Sequence, residues 1–293
     1  MTRTLRAWGL AFLVPGLALY LFIVIWPSIQ VVNNSLFAWT PGLPADFVGL
    51  GNFVRIFSDP VFMKAIGHTF VLLAGALIIQ IPIGLLIALI LHRRGPRTRD
   101  ILQTAFFIPM ILSSAVIAVL FIQVYAPQFG LLNTILRAVG LESLAKPWLG
   151  DPSTALLAVV AVIGWQFVGL YMLIFMAALR RIPPAIYEAG ELDGAVGFHR
   201  LRHITLPLIF DSVKLSVMLV ITGAVQYFNL IWAMTKGGPA NESNVLASYM
   251  FVKSFQDSQP GYGAAVAAVM LAINLVLAIA LQAAFKRDPI ELG

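Results

Sequence analysis

The stretch ALLAVVAVIGWQFVGLYMLIFMAAL, from Ala155 to Leu179, contains no charged residue. About 20 apolar residues in an α-helix are enough to cross the hydrocarbon core of a bilayer. A helix suits that environment because it satisfies its own backbone hydrogen bonds, whereas lipid offers no partner for them. The stretch therefore predicts a membrane-spanning helix.

Similar apolar runs occur on both sides of this stretch. The composition agrees, with 60% hydrophobic and 11% charged residues and a mean hydropathy of +0.90, where soluble domains are about 25% charged. We therefore predict an all-α membrane protein with six transmembrane helices. The predicted spans are Trp8 to Val32, Ile66 to Leu91, Ile101 to Tyr125, Ala155 to Leu179, Leu208 to Thr235 and Tyr262 to Phe285.

The net charge of +6 is distributed by side of the membrane. Most basic residues precede the first span or follow the second, fourth and sixth: Arg3, Arg6, Arg93, Arg94, Arg97, Arg99, Arg180, Arg181, Arg200, Arg202, Lys286 and Arg287. By the positive-inside rule both termini are predicted to be cytoplasmic. Membrane topology thus accounts for the basic residues, and a nucleic-acid partner is not predicted.

The chain has no evident internal division. No linker or low-complexity segment interrupts it, so residues 1–293 are predicted to form a single transmembrane domain. The first apolar run exceeds the roughly 7 to 15 residues of a signal-peptide core, which favours a retained span. With no cysteine, neither disulfides nor thiolate metal sites are available.

A charged, glycine-containing segment, about residues 183–207, separates the fourth and fifth spans. Pro184 suits a helix start, and Gly194 allows the chain to turn. We predict one short helix with an apolar face at Ala185, Ala189 and Leu192, and a second from about Gly197 to Ile204. Amphipathicity alone leaves open a simpler interpretation, in which the segment lies among lipid headgroups.

The spacing of specific residues in this segment resembles a known motif. It is similar to E-A-A-x3-G-x9-I-x-L-P of the membrane subunits of binding-protein-dependent ABC importers, with glycine at the second alanine. The residues concerned, including Asp193 within the motif, are Glu188, Ala189, Gly190, Asp193, Gly194, Ile204, Leu206 and Pro207. The resemblance implies a type I ABC importer permease fold, in which this segment is the coupling helix that docks in a cleft of the ATPase subunit.

Further stretches resemble the maltose-type carbohydrate branch of that family: FVGLGNF at 47–53, DPVF at 59–62, IPMILSS at 108–114 and MTKGGP at 234–239. The resemblance implies the cell (inner or plasma) membrane of a prokaryote and import of a di- or oligosaccharide or a polyol. It also implies the partners, namely a second homologous permease, two cytoplasmic ATPase subunits that bind ATP and Mg, and an extracytoplasmic solute-binding protein. This chain has no phosphate-binding G-x-x-x-x-G-K-[ST] loop, so it is predicted to be neither an enzyme nor a cofactor-binding subunit.

Polar residues within the spans are candidates for a substrate cavity, because the bilayer core makes such residues costly. A sugar presents hydroxyls around apolar ring faces, so its site combines amides and hydroxyls with an aromatic side chain. Trp165 with Gln166, and Gln226 with Tyr227 and Asn229, provide that combination, while Met110 and Ser114 are added by the resemblance. The alternative is that these polar groups join helices and Trp165 packs.

The charges favour a neutral substrate over an anionic one. The one basic residue within a predicted span is Lys214, which Asp211 precedes by three residues, so an ion pair is expected. A glycerol-3-phosphate or glycerophosphodiester importer remains the alternative, since a partner permease could supply the cation. An ion-coupled secondary transporter is a distant alternative because the acidic residues lie in loops or at the edges of spans. His199 and His203 lack a third ligand, so no metal site is predicted.

Overall fold

The computed structural model describes residues 13–285. The predicted first span begins at Trp8, outside this range. The basic residues Arg3, Arg6, Lys286 and Arg287 also lie outside it. The cytoplasmic placement of both termini stays a prediction.

The described chain is mostly helical. Its helices are α1 (Leu13–Asn34), α2 (Gly51–Ser58), α3 (Pro60–His92), α4 (Pro96–Ile111), α5 (Ser114–Val124), α6 (Leu131–Ala138), α7 (Ala155–Leu179), α8 (Pro184–Leu192), α9 (Gly197–Leu208), α10 (Phe210–Val225), α11 (Asn229–Thr235), α12 (Leu246–Phe251) and α13 (Pro260–Ala284). Shorter helical turns occur at Leu21–Ile25 within α1, Glu142–Leu144, Leu201–Thr205 within α9, and Val252–Gln256. Two short strands, β1 (Phe37–Ala38) and β2 (Asp46–Phe47), pair antiparallel.

Four helices, α1, α3, α7 and α13, are long and apolar enough to cross a membrane, and two bent pairs raise the number to six if each counts as one span. The predicted helical membrane fold is therefore confirmed. The bends correct the predicted elements. The third span breaks between α4 and α5 with a 97° bend, and α9 meets α10 at 75°. The fifth span also ends early, because α10 stops at Val225 and α11 begins at Asn229.

Local chemistry accounts for the break in the third span. Pro109 removes a backbone donor inside α4, and Leu112 is extended at φ −69° and ψ 142°. Ser113 then caps α5, its Oγ accepting a hydrogen bond from the Ala115 N–H at 3.3 Å. A hydropathy pattern does not register such a break, because the residues immediately on both sides of it are mainly apolar.

The described chain is divided into two compact units. One comprises the described residues up to Phe62 together with Tyr249–Ala272, and the other comprises Met63–Ser248 with the described residues from Ile273. The predicted single-domain organisation stays a prediction.

The second unit is organised around α7, the most deeply buried of the four long helices. Helices α4, α10 and α11 pack against α7, and α5 packs against α11. Glycines permit close approach. A Cβ at Gly169 would overlap the Phe106 carbonyl of α4, and one at Gly84 would lie 3.0 Å from the backbone nitrogen of Met172.

The first unit is held together by a hydrogen-bonded cluster of one carboxylate and two phenols. Tyr249 Oη donates to Asp59 Oδ2 at 2.6 Å and lies 2.8 Å from Tyr262 Oη. Asp59 Oδ1 also accepts from the Val61 N–H at 2.8 Å, at the start of α3. Burial alone would raise the pKa of Asp59, but the Tyr249 and backbone hydrogen bonds outweigh it and hold the pKa below its ordinary value of 3.8.

This lowered pKa predicts an acid-sensitive first unit. A carboxylate with a depressed folded-state pKa stabilises the fold above its unfolded pKa, and that contribution disappears as pH falls through the folded value. We expect the thermal midpoint of the purified protein to fall as pH decreases below 3.8. The Asp59→Asn variant should have a lower thermal midpoint at pH 7 than the unsubstituted protein. Its thermal midpoint should also fall less as the pH is lowered.

Asp46→Asn is the matched control, because Asp46 is an exposed carboxylate of the same unit. Thermal unfolding in detergent between pH 2 and pH 7 measures all three proteins. An Asp59→Asn profile that superimposes on the unsubstituted profile would contradict the proposed role of the cluster.

Candidate functional site

The predicted substrate residues lie at two breaks, one between α4 and α5 and one between α10 and α11, and in the middle of α7. Met110 is one residue from the end of α4, and Ser114 begins α5. Gln226 directly follows Val225, the last residue of α10, and Asn229 begins α11. Interrupted spans are common at transporter binding sites, because unwound backbone at membrane depth is tolerated where protein or a cavity covers it.

The structure joins the two predicted aromatic and amide groups directly. Tyr227 Oη donates to Gln166 Oε1 at 3.2 Å, so the break after α10 meets the middle of α7. The ring of Phe121 on α5 lies edge-on to Trp165, with centroids 5.1 Å apart. Elements from both breaks therefore contact one turn of α7.

Adjacent residues on that turn face different environments. Gln166 is 3% exposed, whereas Trp165 is 39% exposed. Among the described residues, no hydrogen bond joins Met110, Ser114 or Asn229 to Trp165 or Gln166. The structure thus brings together Gln166 and Tyr227, whereas Trp165 contacts Phe121. The joint action of the predicted substrate residues stays a prediction.

A cavity of about 180 Å³ lies beside the Gln166–Tyr227 contact. Its walls are mainly apolar and contain no charged side chain: Leu72, Ala76, Gln80, Ile163, Phe167, Leu170, Tyr171, Leu219, Val220, Gly223, Ala224 and Tyr227. Pockets for drug-sized ligands measure about 300–1,000 Å³, so an oligosaccharide needs more space than this cavity provides.

Gln80 is a polar cavity residue that was not predicted from the sequence. It is buried in α3, and its Nε2 lies 3.4 Å from the Ile163 carbonyl oxygen. Its signal was an amide within the apolar run 66–91, the same signal that identified Gln166.

The expected Asp211–Lys214 ion pair is not among the ion pairs of the described residues. Lys214 Nζ instead donates to the Phe285 carbonyl oxygen at 3.4 Å. A carbonyl near the end of α13 is a suitable acceptor, because the last carbonyls of a helix lack intrahelical partners. Lys214 does not line the 180 Å³ cavity.

The predicted coupling segment forms two helices joined by a tight turn. α8 starts at Pro184 as predicted, and Gly194 has a φ of +78°. The second helix is longer than predicted, since α9 continues through Leu206 and Pro207 to Leu208 and bends at Ile209. Pro207 is the second-last residue of α9 and lies two residues before the bend.

Contacts across the turn fix these two helices relative to each other. Gly190 is buried, and a Cβ there would overlap Cδ1 of Ile204. The Ala195 N–H donates to the Gly190 carbonyl oxygen at 2.7 Å. Arg200 Nη1 pairs with Glu191 Oε1 at 2.6 Å, and its guanidinium lies over the Tyr187 ring at 5.5 Å. The glycine in place of the motif's alanine thus permits close packing of α8 on α9.

The outward surface of this segment carries unpacked apolar side chains. Leu192 is 91% exposed and Phe198 71% exposed, and Ala185 and Ala189 are exposed as well. Glu188 is also exposed and forms no ion pair within residues 13–285. Exposed apolar side chains next to charges are typical of a protein-binding surface. We call Ala185, Glu188, Ala189, Leu192 and Phe198 the docking face.

Comparison with known proteins gives a consistent result. The family model described as "Binding-protein-dependent transport system inner membrane component" matches residues 80–288. The chain is 38% identical to the probable ABC transporter permease protein YurN of Bacillus subtilis over 94% of each chain. It is 33% identical to the diacetylchitobiose uptake system permease protein NgcF of Streptomyces coelicolor, over 92% of this chain and 79% of that protein.

Further similarities support the same fold. The multiple sugar-binding transport system permease protein MsmF of Streptococcus mutans is 31% identical over 94% of this chain and 93% of its own length. A chain in the crystal structure of a bacterial ABC transporter that imports the acidic polysaccharide alginate superimposes with a TM-score of 0.80 at 23% identity. That match covers 96% of this chain and 97% of the other, and it establishes the fold alone.

Proposed function

The chain belongs to the family of binding-protein-dependent transport system inner membrane components. We propose that it is the permease subunit of an ATP-driven importer, and that the substrate is a neutral di- or oligosaccharide or polyol. Relatives named for uptake of diacetylchitobiose, multiple sugars and lactose support the substrate class. The observation that carries the proposal is the Gln166–Tyr227 hydrogen bond beside a cavity with no charged wall.

The proposed mechanism is alternating access driven from outside this chain. Two cytoplasmic ATPase subunits bind ATP and Mg, and their closure moves the docking face and the attached helices α7 and α10. A second homologous permease completes the substrate cavity, which accounts for the small volume that this chain encloses alone. An extracytoplasmic solute-binding protein delivers the sugar; a neighbour in fold was solved with an alginate pentasaccharide-bound periplasmic protein.

ATPase activity of the purified assembly in lipid, with its binding protein, tests this proposal. The panel comprises maltose, lactose, cellobiose, raffinose, sorbitol and glycerol-3-phosphate. Stimulation by a neutral sugar or polyol is the expected result. Stimulation by glycerol-3-phosphate alone would overturn the neutral substrate, and no stimulation by any compound would overturn the importer assignment for these substrates.

Trp165→Ala tests the aromatic side chain of the proposed site. A sugar ring packed on an aromatic plate loses about 1.4 kcal/mol or more when the plate is removed, so we expect uptake at limiting sugar to fall about tenfold. Assembly with the partner subunits should be unaffected, because Trp165 is partly exposed.

Trp26→Ala is the control, since Trp26 is an exposed tryptophan of α1. Uptake of radiolabelled sugar and the yield of the purified assembly are measured for both variants. Normal uptake in a correctly assembled Trp165→Ala variant would assign Trp165 to packing.

A further inference from the structure

The first unit contains a second, polar cavity of about 400 Å³. It lies among the β1–β2 hairpin, α2 and the turn before α13, and its volume is within the range of small-molecule pockets. The lining residues are Ala38, Trp39, Thr40, Leu43, Pro44, Asp46, Asn52, Arg55, Asp257, Gln259 and Tyr262. We call it the hairpin cavity. The positive-inside pattern predicts that residues 33–64 lie on the extracytoplasmic side.

Asn52 supplies an unsatisfied acceptor among the lining residues. The side chain is 1% exposed, and its Nδ2 donates to the carbonyl oxygens of Ser35 at 2.9 Å and Phe37 at 3.0 Å. Its Oδ1 is buried and accepts no hydrogen bond within the described residues. A buried polar atom without a partner is costly. A ligand hydroxyl reaches this oxygen after a local shift of the residues that cover it, and its donation would then remove that cost.

The rest of the lining combines aromatic rings with hydrogen-bonding groups. Trp39 and Tyr262 provide the rings, and the Arg55 guanidinium lies 5.1 Å from the Tyr262 ring centroid. Arg55 Nη2 also donates to Gln259 Oε1 at 3.3 Å, which fixes both side chains at the rim. Rings beside amides, carboxylates and a guanidinium match the alternating apolar faces and hydroxyls of a sugar.

The charges at the rim disfavour an anionic ligand. The lining includes two carboxylates, Asp46 and Asp257, and one guanidinium, Arg55. Asp257 is paired with Lys253 at 2.9 Å, whereas Asp46 has no ion pair within residues 13–285. A phosphate or carboxylate ligand would meet the unpaired charge of Asp46, but a hydroxyl would donate to it.

We propose that the hairpin cavity binds one ring of a neutral carbohydrate, as a second sugar site separate from the residues at the broken spans. The ring packs on Trp39, and its hydroxyls donate to Asn52 Oδ1 and Asp46. The site deepens the proposed function and rests on it: a sugar delivered at the outer surface is held there before it enters the membrane pathway.

Sugar binding to the assembly without its binding protein tests this site. Isothermal titration in lipid nanodiscs uses the compound of the ATPase panel that stimulates most, and all proteins carry Trp165→Ala to weaken the membrane site. We expect a Kd of about 1 mM. Adding Trp39→Ala or Asp46→Asn should weaken binding at least about tenfold. Asp46 is exposed, so its substitution keeps the test valid if Trp39→Ala disrupts folding.

Phe47→Ala is the matched control, because Phe47 is an exposed aromatic residue of the same hairpin outside the cavity lining. It should leave the Kd unchanged. Either of two results would overturn the hairpin site. The Trp165→Ala protein could bind no sugar, or neither Trp39→Ala nor Asp46→Asn could change its Kd. The proposed function would survive that result if the same sugar still stimulated ATP hydrolysis, so the two failures are distinguishable.

Discussion

Gly169→Leu is expected to abolish accumulation of folded protein, and Gly169→Ala to destabilise it by about 3 kcal/mol, the upper part of the usual range for overpacking. A Cβ at this position would lie 2.8 Å from the carbonyl carbon of Phe106 and 3.0 Å from Cα of Phe107. Both atoms belong to the backbone of α4, so no side-chain rotation relieves the clash. The substitution must separate α4 from α7.

Two other glycines provide graded controls. At Gly164, on the same helix, the atoms that a Cβ would meet belong to the Ile79 side chain, so Gly164→Ala should cost less. At Gly67 in α3 nothing lies within 4 Å, and alanine there should be neutral or stabilise by up to about 1 kcal/mol.

Thermal unfolding in detergent and the amount of protein in the membrane fraction measure this series. The expected order of stability is Gly67→Ala, then Gly164→Ala, then Gly169→Ala. Equal stability of the Gly164 and Gly169 variants would contradict the close backbone approach of α4 to α7.

The spans were predictable because each depends on one local property, the length of an apolar run. Ala155–Leu179 was predicted to the residue, since polar residues, including Asp151 and Arg180, flank it on both sides. The breaks were not predictable in the same way. Leu112 and Ile209 change direction for reasons of backbone geometry, and both are apolar residues that a hydropathy pattern assigns to the span.

The candidate site was predictable in its residue types but not in its contacts. A polar side chain in a span signals a special environment, and this principle identified Gln166 and Tyr227 separately. Their hydrogen bond joins residues 61 positions apart, which one sequence does not reveal. The Asp59–Tyr249 contact, between residues 190 positions apart, escaped prediction for the same reason.

Glu188→Lys is expected to lower ATP-driven uptake by about 100-fold or more while leaving the protein in the membrane. Loss of one partner from a buried charge pair at an interface costs about 2–5 kcal/mol, and reversal adds repulsion. The proposal requires such a pair with the ATPase subunit, since Glu188 is exposed and has no ion pair within the described chain. The apolar docking face around it would exclude water in the complex and strengthen the pairing.

Glu142→Lys is the matched control for this change. It makes the same charge reversal at an exposed position of the Glu142–Leu144 turn, in a loop predicted to be extracytoplasmic. The abundance of each variant in the membrane, the amount of ATPase subunit that co-purifies, and the sugar-stimulated ATPase activity are measured together. For Glu188→Lys we expect normal abundance with lost stimulation, and for Glu142→Lys no change in any of the three.

These measurements also decide between docking and lipid binding of the same segment. If α8 and α9 only lay among anionic headgroups, an added lysine would strengthen membrane attachment and leave uptake intact. If the segment docks into the ATPase, the same lysine repels the positively charged partner group. It then interrupts the contact through which the ATPase moves α7 and α10. Unchanged uptake by a normally assembled Glu188→Lys variant would therefore refute the coupling role.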